Sequence, residues 1–91
     1  VYPGRIYNIH PSLLPKYKNM KDMNIHKLII DNKDEFTGCT LHVVTEKVDE
    51  GDIILQKKIK VDTEYPTILK NKVQKLESEL LVDFINIMNI I

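Results

Sequence analysis

The sequence predicts an α/β fold in which three short strands are joined by a connecting helix and a polar turn, and are followed by a long C-terminal helix. Runs rich in β-branched and aromatic residues, each bounded by proline, glycine or polar residues, occur three times along the chain. From Ile68 onward, apolar residues instead recur every three or four positions, which is the period of an amphipathic helix. With 91 residues, the chain forms one domain at most.

The first predicted strand covers residues 5–10, and Pro11 ends it because proline has no N–H to donate to a sheet. The segment that follows, residues 11–19, contains a second proline, Pro15. The residue before each proline is restricted to extended geometry. We therefore expect a rigid loop at the carboxyl end of the strand.

A helix of about three turns is predicted over residues 22–32, where apolar residues follow a mostly helical spacing. Asp22 can cap its N-terminus, because aspartate accepts hydrogen bonds from the first free N–H groups of a helix. Asn32 can end the helix, because asparagine tolerates the left-handed conformation found there.

Two further strands are predicted at residues 37–45 and 53–61, joined by a polar turn that contains one glycine. In the last helix, Pro66 is compatible with the first turn, and Thr63 is predicted to cap it. The apolar stripe of this helix consists of Leu69, Val73, Leu76, Leu80, Phe84, Ile87 and Ile91.

Three strands are few for an α/β sheet, and one sheet edge would stay unpaired, so further strands are expected to precede Val1. The chain also begins with Val-Tyr-Pro-Gly rather than Met, which favours a part of a larger domain. In open α/β sheets, ligands bind beyond the carboxyl ends of strands. The loop after residue 10 is therefore the expected place for a site.

Composition excludes several classes of protein. Thirteen basic residues balance thirteen acidic ones, so the chain lacks the basic excess of a nucleic-acid binder. No apolar run reaches the roughly 18 residues of a membrane span. The single cysteine, Cys39, cannot form an internal disulfide, which favours the reducing cytoplasm.

Asn8, His10 and Asp49 are the candidate catalytic residues. Asn8 and His10 are two apart and so point to the same side of a strand. An amide N–H and an imidazolium placed side by side can stabilise an oxygen that becomes negative during acyl-type transfer. Asp49, in the turn after the second strand, could hold His10 protonated or take a proton from an attacking amine. Spacing alone leaves a purely structural role open, because Asn-x-His also occurs near strand ends without catalysis.

Three segments together resemble the C-terminal half of the glycinamide ribonucleotide formyltransferases. They are NIHPSLLPKYK at residues 8–18, TGCTLHVV at residues 37–44 and VDEGDIILQ at residues 48–56. The Asn-x-His-x-Ser-Leu-Leu-Pro pattern is shared more widely among formyltetrahydrofolate-dependent enzymes. Pro11 and the Lys-Tyr-Lys at residues 16–18 resemble the purine-pathway enzymes most. Asn19 stands where these enzymes commonly have glycine, and asparagine is the other residue best able to adopt a positive φ.

The resemblance implies a Rossmann-like fold, with residues 1–91 forming the catalytic C-terminal half and the nucleotide-binding N-terminal half absent. It implies transfer of a formyl group from 10-formyltetrahydrofolate to the amine of glycinamide ribonucleotide, in purine (IMP) biosynthesis and without a metal. Asn8 and His10 would stabilise the oxyanion, and Asp49 would pair with His10 and relay the proton from the amine. The fragment alone is expected to be inactive.

The resemblance also implies two binding regions. Folate would contact Val44, Thr45, Glu46, Val48 and Asp49. The ribonucleotide would contact Pro11, Gln74 and Glu77. The implied partners are these small molecules, with no nucleic acid or membrane, together with other purine-pathway domains. The alternatives are methionyl-tRNA formyltransferase, formyltetrahydrofolate hydrolase, or a truncated remnant without catalysis.

A metal site is not expected. Cys39 and His42 are three apart, and on a strand this odd spacing places them on opposite faces. His42 lies in an apolar strand and is interpreted as a core or supporting histidine. Cys39 is interpreted as a small packed residue, because no base can be assigned to it.

Overall fold

Five elements follow one another in the predicted order. The computed structural model describes residues 6–20, 22–45 and 51–90. The elements are β1 (Tyr7–His10), α1 (Asp22–Asp31), β2 (Phe36–Val43), β3 (Ile53–Lys60) and α2 (Pro66–Ile90). The predicted α/β fold class, with three strands and a long C-terminal helix, is confirmed.

The ends of the elements differ from the prediction by one or two residues. β2 ends at Val43, so Val44 and Thr45 lie beyond the strand. α2 begins at Pro66. Proline is compatible with the first helical position, because an N–H at this position would have no hydrogen-bond partner within the helix. The Thr63 hydroxyl accepts a hydrogen bond from the Tyr65 N–H at 3.2 Å. Thr63 therefore stabilises the turn before the helix, and its prediction as the helix cap was wrong.

The three strands form one sheet in the order β1-β2-β3, and both pairs are antiparallel. β2 is the central strand, and the sequence had left the direction of pairing open. The register places Asn8 opposite His42, His10 opposite Thr40, and Thr40 opposite Gln56. Residues directly opposite each other share a face, so these five polar side chains lie on one face of the sheet.

The hydrophobic core lies on the other face, between the sheet and the helices. Its fully buried members are Ile25, Ile29, Cys39, Leu41, Leu69, Val73 and Leu80. Tyr7 and Ile9 of β1 pack against this core, which fixes the opposite orientation for Asn8 and His10. Burial of each large aliphatic side chain stabilises the fold by about 1.5–3 kcal/mol. No helix within residues 6–20, 22–45 and 51–90 is long and apolar enough to cross a membrane.

α1 ends in a tight turn that carries Lys33 in the left-handed conformation, with φ of 55°. The Lys33 N–H donates to the Ile30 carbonyl at 3.0 Å, and the Asp34 N–H donates to the Ile29 carbonyl at 3.2 Å. This is the Schellman pattern of a helix C-terminus. Asn32 directly precedes the left-handed residue, so the predicted end of the helix is correct. The residue in the left-handed conformation is Lys33 and not Asn32.

The loop after β1 crosses the polar face of the sheet and is bonded to it through Thr40. The buried Thr40 hydroxyl donates to the Ser12 carbonyl at 2.7 Å and accepts from the Leu14 N–H at 3.0 Å. Leu13 covers Gly38, where an added Cβ would lie 1.9 Å from the Lys57 carbonyl oxygen and 2.9 Å from the Leu13 side chain. Only glycine permits this close approach.

Two residues of the loop have positive φ angles, Tyr17 at 62° and Asn19 at 67°. The predicted positive φ of Asn19 is confirmed. Glycine adopts this conformation without strain, and asparagine is the next most tolerant residue. Tyr17 has no such tolerance, so its backbone must be held by its surroundings.

His26 on α1 is expected to make stability pH-dependent. It is 2% exposed, and its Nδ1 has no hydrogen-bond partner among the described residues. Burial, reinforced by the nearby Lys70 ammonium, lowers the pKa of His26 below its ordinary 6.5. As the pH falls, the unfolded chain therefore binds a proton at this histidine before the folded chain does. His26 does not reduce the free energy of unfolding above about pH 6.5, and it reduces that free energy increasingly as the pH drops below this value.

Urea unfolding of the full-length protein at about pH 7.5 and about pH 5.5 measures this effect. The variant His26→Leu is expected to lose part of the decrease seen in the wild type. Asp34 also has a lowered pKa, but its contribution is lost only at more acidic pH, near and below 3.8. An identical pH dependence in the two proteins would contradict the assignment to His26.

Candidate active site

The candidate site is the polar face of the sheet at the carboxyl end of β1. Asn8 and His10 both lie on this face, as their spacing predicts. Asn8 is exposed, whereas His10 is only 4% exposed because the following loop covers it. The structure thus brings together one accessible amide and one shielded imidazole.

The His10 ring is oriented by the loop. Its Nε2 lies 3.1 Å from the backbone carbonyl oxygen of Tyr17. A carbonyl oxygen can only accept, so Nε2 is the donor and carries a hydrogen. Any hydrogen bond that this ring donates to a reacting oxygen therefore comes from Nδ1.

Thr40 and Gln56 support the site, and the sequence did not single them out. The Gln56 side-chain amide donates to the Leu14 carbonyl at 3.0 Å and to the Thr40 hydroxyl at 2.9 Å. These bonds fix the path of the loop that covers His10. The sequence carries only a weak sign of this supporting role. Thr40 is a threonine within a buried strand, and Gln56 is a glutamine in a strand that is otherwise apolar and rich in lysine.

Two side chains form hydrogen bonds with the Tyr17 phenol. The Tyr17 hydroxyl donates to Asp34 Oδ2 at 2.5 Å and accepts from the Asn32 amide at 3.0 Å. Lys16 Nζ lies 2.8 Å from Asp34 Oδ1. Burial alone would raise the pKa of Asp34, but the bonds from Lys16 and Tyr17 outweigh it and lower that pKa. Burial, and next the bond to Asp34, raise the pKa of Tyr17, so the phenol remains a donor.

His42 lies opposite Asn8 across β1 and β2, and it is 3% exposed. Its Nδ1 is 3.2 Å from the Val43 carbonyl oxygen. Cys39 lies on the other face, in the core. Cys39 and His42 therefore do not share a metal site, and the described residues contain no cluster of three His, Cys, Asp or Glu suited to a metal.

The predicted folate-binding residues are only partly covered by the structure. Val44 and Thr45 are exposed at the end of β2. The Val44 N–H donates to the Ile6 carbonyl at 2.7 Å, which continues the pairing of β1 and β2 by one residue. The other predicted residues, Glu46, Val48 and Asp49, lie outside the described residues. The role of Asp49 beside His10 stays a prediction.

Gln74 and Glu77 lie on α2, which packs against the opposite face of the sheet from Asn8 and His10. Gln74 is exposed, and Glu77 is half-buried. Burial raises the pKa of the Glu77 carboxyl. Burial, and next the Glu77 charge, raise the pKa of the Cys39 thiol to about 11, so Glu77 lies near the core side of β2. The structure does not bring these two residues together with His10, and their binding roles stay predictions, as does that of Pro11.

An open cavity of about 730 Å³ lies away from the His10 ring, between the end of α1 and the segment that leads into α2. Its lining includes the acidic side chains Asp34, Glu35, Asp62 and Glu64. An anionic ribonucleotide is not expected there, because carboxylates repel phosphate. The polar face around Asn8 and His10 remains the candidate site.

A family model described as formyl transferase matches residues 1–85. The chain is 47% identical over 60 residues to the phosphoribosylglycinamide formyltransferase of Escherichia coli, covering 66% of this chain and 27% of that protein. It is 48% identical over 60 residues to the chicken trifunctional purine biosynthetic protein adenosine-3, covering 66% of this chain and 6% of that protein.

A methionyl-tRNA formyltransferase of Pseudothermotoga lettingae is 40% identical over 84 residues, which cover 91% of this chain and 27% of that protein. Among solved structures, phosphoribosylglycinamide formyltransferase from Brucella melitensis is similar with a TM-score of 0.73 and 41% identity. That match covers 88% of this chain and 40% of the solved one. The chain therefore spans less than half the length of each of these relatives.

Proposed function

The chain belongs to the formyl transferase family, and we propose that it is the catalytic part of a phosphoribosylglycinamide formyltransferase. The observation that carries the proposal is the placement of Asn8 and His10 on one face of the sheet, at the end of β1 and within the motif of residues 8–18. An exposed amide and an oriented imidazole at one strand end can both donate hydrogen bonds to the same oxygen.

The reaction we propose moves one formyl group between two nitrogens. The amine nitrogen of glycinamide ribonucleotide forms a bond to the formyl carbon, and the carbonyl electron pair moves onto the formyl oxygen. When the carbonyl re-forms, the bond from carbon to N10 of the folate breaks. The amine loses one proton and the folate nitrogen gains one, so the reaction is balanced without a metal or an external oxidant.

Asn8 and His10 stabilise the negative charge that develops on the formyl oxygen. Since Nε2 of His10 already donates to Tyr17, the bond to this oxygen comes from Nδ1. Nδ1 carries a hydrogen at the same time only in the imidazolium form. A nearby carboxylate favours that form, which is the role we propose for Asp49, together with relay of the amine proton through water.

Folate binding is proposed at the end of β2 next to β1. Val44 is 43% exposed and Ile6 is 67% exposed, and their backbones are hydrogen-bonded to each other. Two exposed apolar side chains beside Asn8 suit a flat aromatic ring, with backbone groups available for its polar edge. Thr45, Glu46 and Val48 continue this proposed folate site. Pro11, Gln74 and Glu77 stay the proposed contacts of the ribonucleotide; Pro11 directly follows His10, whereas Gln74 and Glu77 lie on the core side of the sheet.

The charge balance favours a small-molecule acceptor over methionyl-tRNA. The chain has a formal net charge of zero, whereas binding to tRNA depends on a basic surface that neutralises phosphates. Methionyl-tRNA formylation is the second candidate, since the relative of that name aligns over 91% of this chain.

An acceptor assay with the full-length protein separates the two. We expect tetrahydrofolate release from 10-formyltetrahydrofolate to require glycinamide ribonucleotide, and the formylated ribonucleotide to accumulate in equal amount. Charged methionyl-tRNA should give no product. A reaction without acceptor is the control, because release there would indicate a hydrolase. Formylation of methionyl-tRNA alone would overturn the proposed acceptor.

The proposed partners are the two small-molecule substrates. A relative that is a trifunctional purine biosynthetic protein supports fusion or association with other purine-pathway domains. The cytoplasm is the proposed compartment.

A further inference from the structure

One of the contacts that orient His10 is made by a backbone carbonyl. The imidazole is almost fully buried, and its Nε2–H is directed to Tyr17 O at 3.1 Å. The same oxygen accepts a longer bond from the Met20 N–H at 3.4 Å. A shift of this carbonyl would therefore change both the angle of the ring and the nitrogen that carries the hydrogen.

The carbonyl belongs to a residue whose backbone is strained. Tyr17 has a φ of 62°, a conformation that a bulky side chain rarely adopts. Local bonds hold the loop on one side of it: the Ser12 hydroxyl donates to the Lys16 carbonyl at 2.8 Å. This bond does not reach the Tyr17 side chain, which packs partly against the hydrophobic core and whose hydroxyl is held by a second anchor.

The second anchor comes from the turn that ends α1. Asp34 follows the Schellman turn, which fixes its backbone, and its side chain is 12% exposed. One carboxylate oxygen accepts the Tyr17 hydroxyl at 2.5 Å, and the other accepts Lys16 Nζ at 2.8 Å. A bond to a charged acceptor is about twice as strong as a neutral one.

We propose that Asp34 is a positioning residue for His10 that acts through Tyr17, holding the phenol and thereby the carbonyl that accepts the His10 Nε2 hydrogen. Asp34 is 24 positions away from His10 in the sequence and does not touch the ring. Its effect on turnover rests on the proposed function, whereas its effect on the His10 ring does not.

The test compares Tyr17→Phe, Asp34→Ala and Asp34→Asn in the full-length protein. Tyr17→Phe removes only the hydroxyl, and Asp34→Asn keeps an oxygen that can accept it. Asp31→Asn is the matched control, because Asp31 lies in the same helix end and pairs with Lys27 at the exposed surface. The first readout is the ¹⁵N chemical shifts of the two His10 ring nitrogens, recorded at a pH at which the ring is neutral, because the imidazolium form carries hydrogens on both nitrogens.

We expect the wild type and Asp31→Asn to show the Nε2–H form of His10. Tyr17→Phe and Asp34→Ala should show a mixture of both forms, and Asp34→Asn should lie closer to the wild type. Folding of each variant is checked from its amide spectrum, and Tyr17→Phe remains informative if Asp34→Ala fails to fold. Unchanged His10 ring shifts in folded Tyr17→Phe would overturn the proposal.

Steady-state kinetics give the second readout. A misplaced catalytic group lowers kcat by about 10–100-fold, while KM should change little because neither residue is among the proposed binding residues. The double variant Tyr17→Phe/Asp34→Ala should be no slower than the worse single variant, since both remove the same bond. If the wild type fails to transfer formyl groups but the ring shifts change as expected, the proposed function fails and the positioning role stands.

Discussion

Replacement of His10 by alanine is expected to lower kcat for formyl transfer by about 10²–10⁴-fold in the full-length protein. The loss follows from the role proposed for His10, because the substitution removes the Nδ1 donor to the developing oxyanion. KM should stay within a few-fold of the wild-type value, because the bond forms in the transition state and not in the bound substrate. Turnover of formylated product under saturating folate is the measurement.

Two comparisons make the result specific. His10 is buried, so a loss of folding in His10→Ala has to be excluded by its unfolding midpoint. Asn8 is exposed, and Asn8→Ala should keep the stability of the wild type while lowering kcat by about 10²–10³-fold. His26→Gln alters another buried histidine, which lies on α1 near Lys70 of α2, and should keep normal turnover. Near-normal kcat in either Asn8→Ala or His10→Ala would contradict the oxyanion role.

Substitution of valine for Thr40 is expected to lower the free energy of unfolding by about 2–3 kcal/mol. Valine has nearly the same shape but no hydroxyl. It would leave the Leu14 N–H and the Ser12 carbonyl without the partner they have in the buried centre of the sheet. Urea denaturation of the full-length protein measures the change.

Thr37→Val provides a matched control in the same strand. Thr37 is 2% exposed, but its hydroxyl has no hydrogen-bond partner among the described residues. Loss of an unpaired buried hydroxyl should leave stability within about 0.5 kcal/mol or increase it. Equal destabilisation by the two substitutions would show that the bonds of Thr40 do not hold the loop.

The elements of the fold could be predicted because each depends on a local period. The apolar spacing of Leu69, Val73 and Leu80 requires one buried helix face, and all three residues lie in the core. The spacing of Asn8 and His10 placed both on one face of β1. Asparagine at position 19 predicted a positive φ, which the structure confirms.

The rest could not be predicted because it depends on contacts between distant residues. The alternation of side chains between the two faces of β1 does not indicate that the loop covers His10 and leaves Asn8 exposed. The bond between Tyr17 and Asp34 joins two segments across α1, and no spacing in the sequence indicates it. Glu77 shares a helix face with Gln74, but only the packing of α2 decides that this face lies across the sheet from His10.

β3 has a consequence for self-association. Within the described residues it has a strand neighbour on one side only, so it is an edge strand of this sheet, and an edge strand can pair with a second chain. Its second half carries Lys57, Lys58 and Lys60, two of them exposed. Antiparallel pairing of two such edges at this half would bring ammonium groups of like charge together, which opposes aggregation. The Ile53–Ile54 end of the strand lacks this protection.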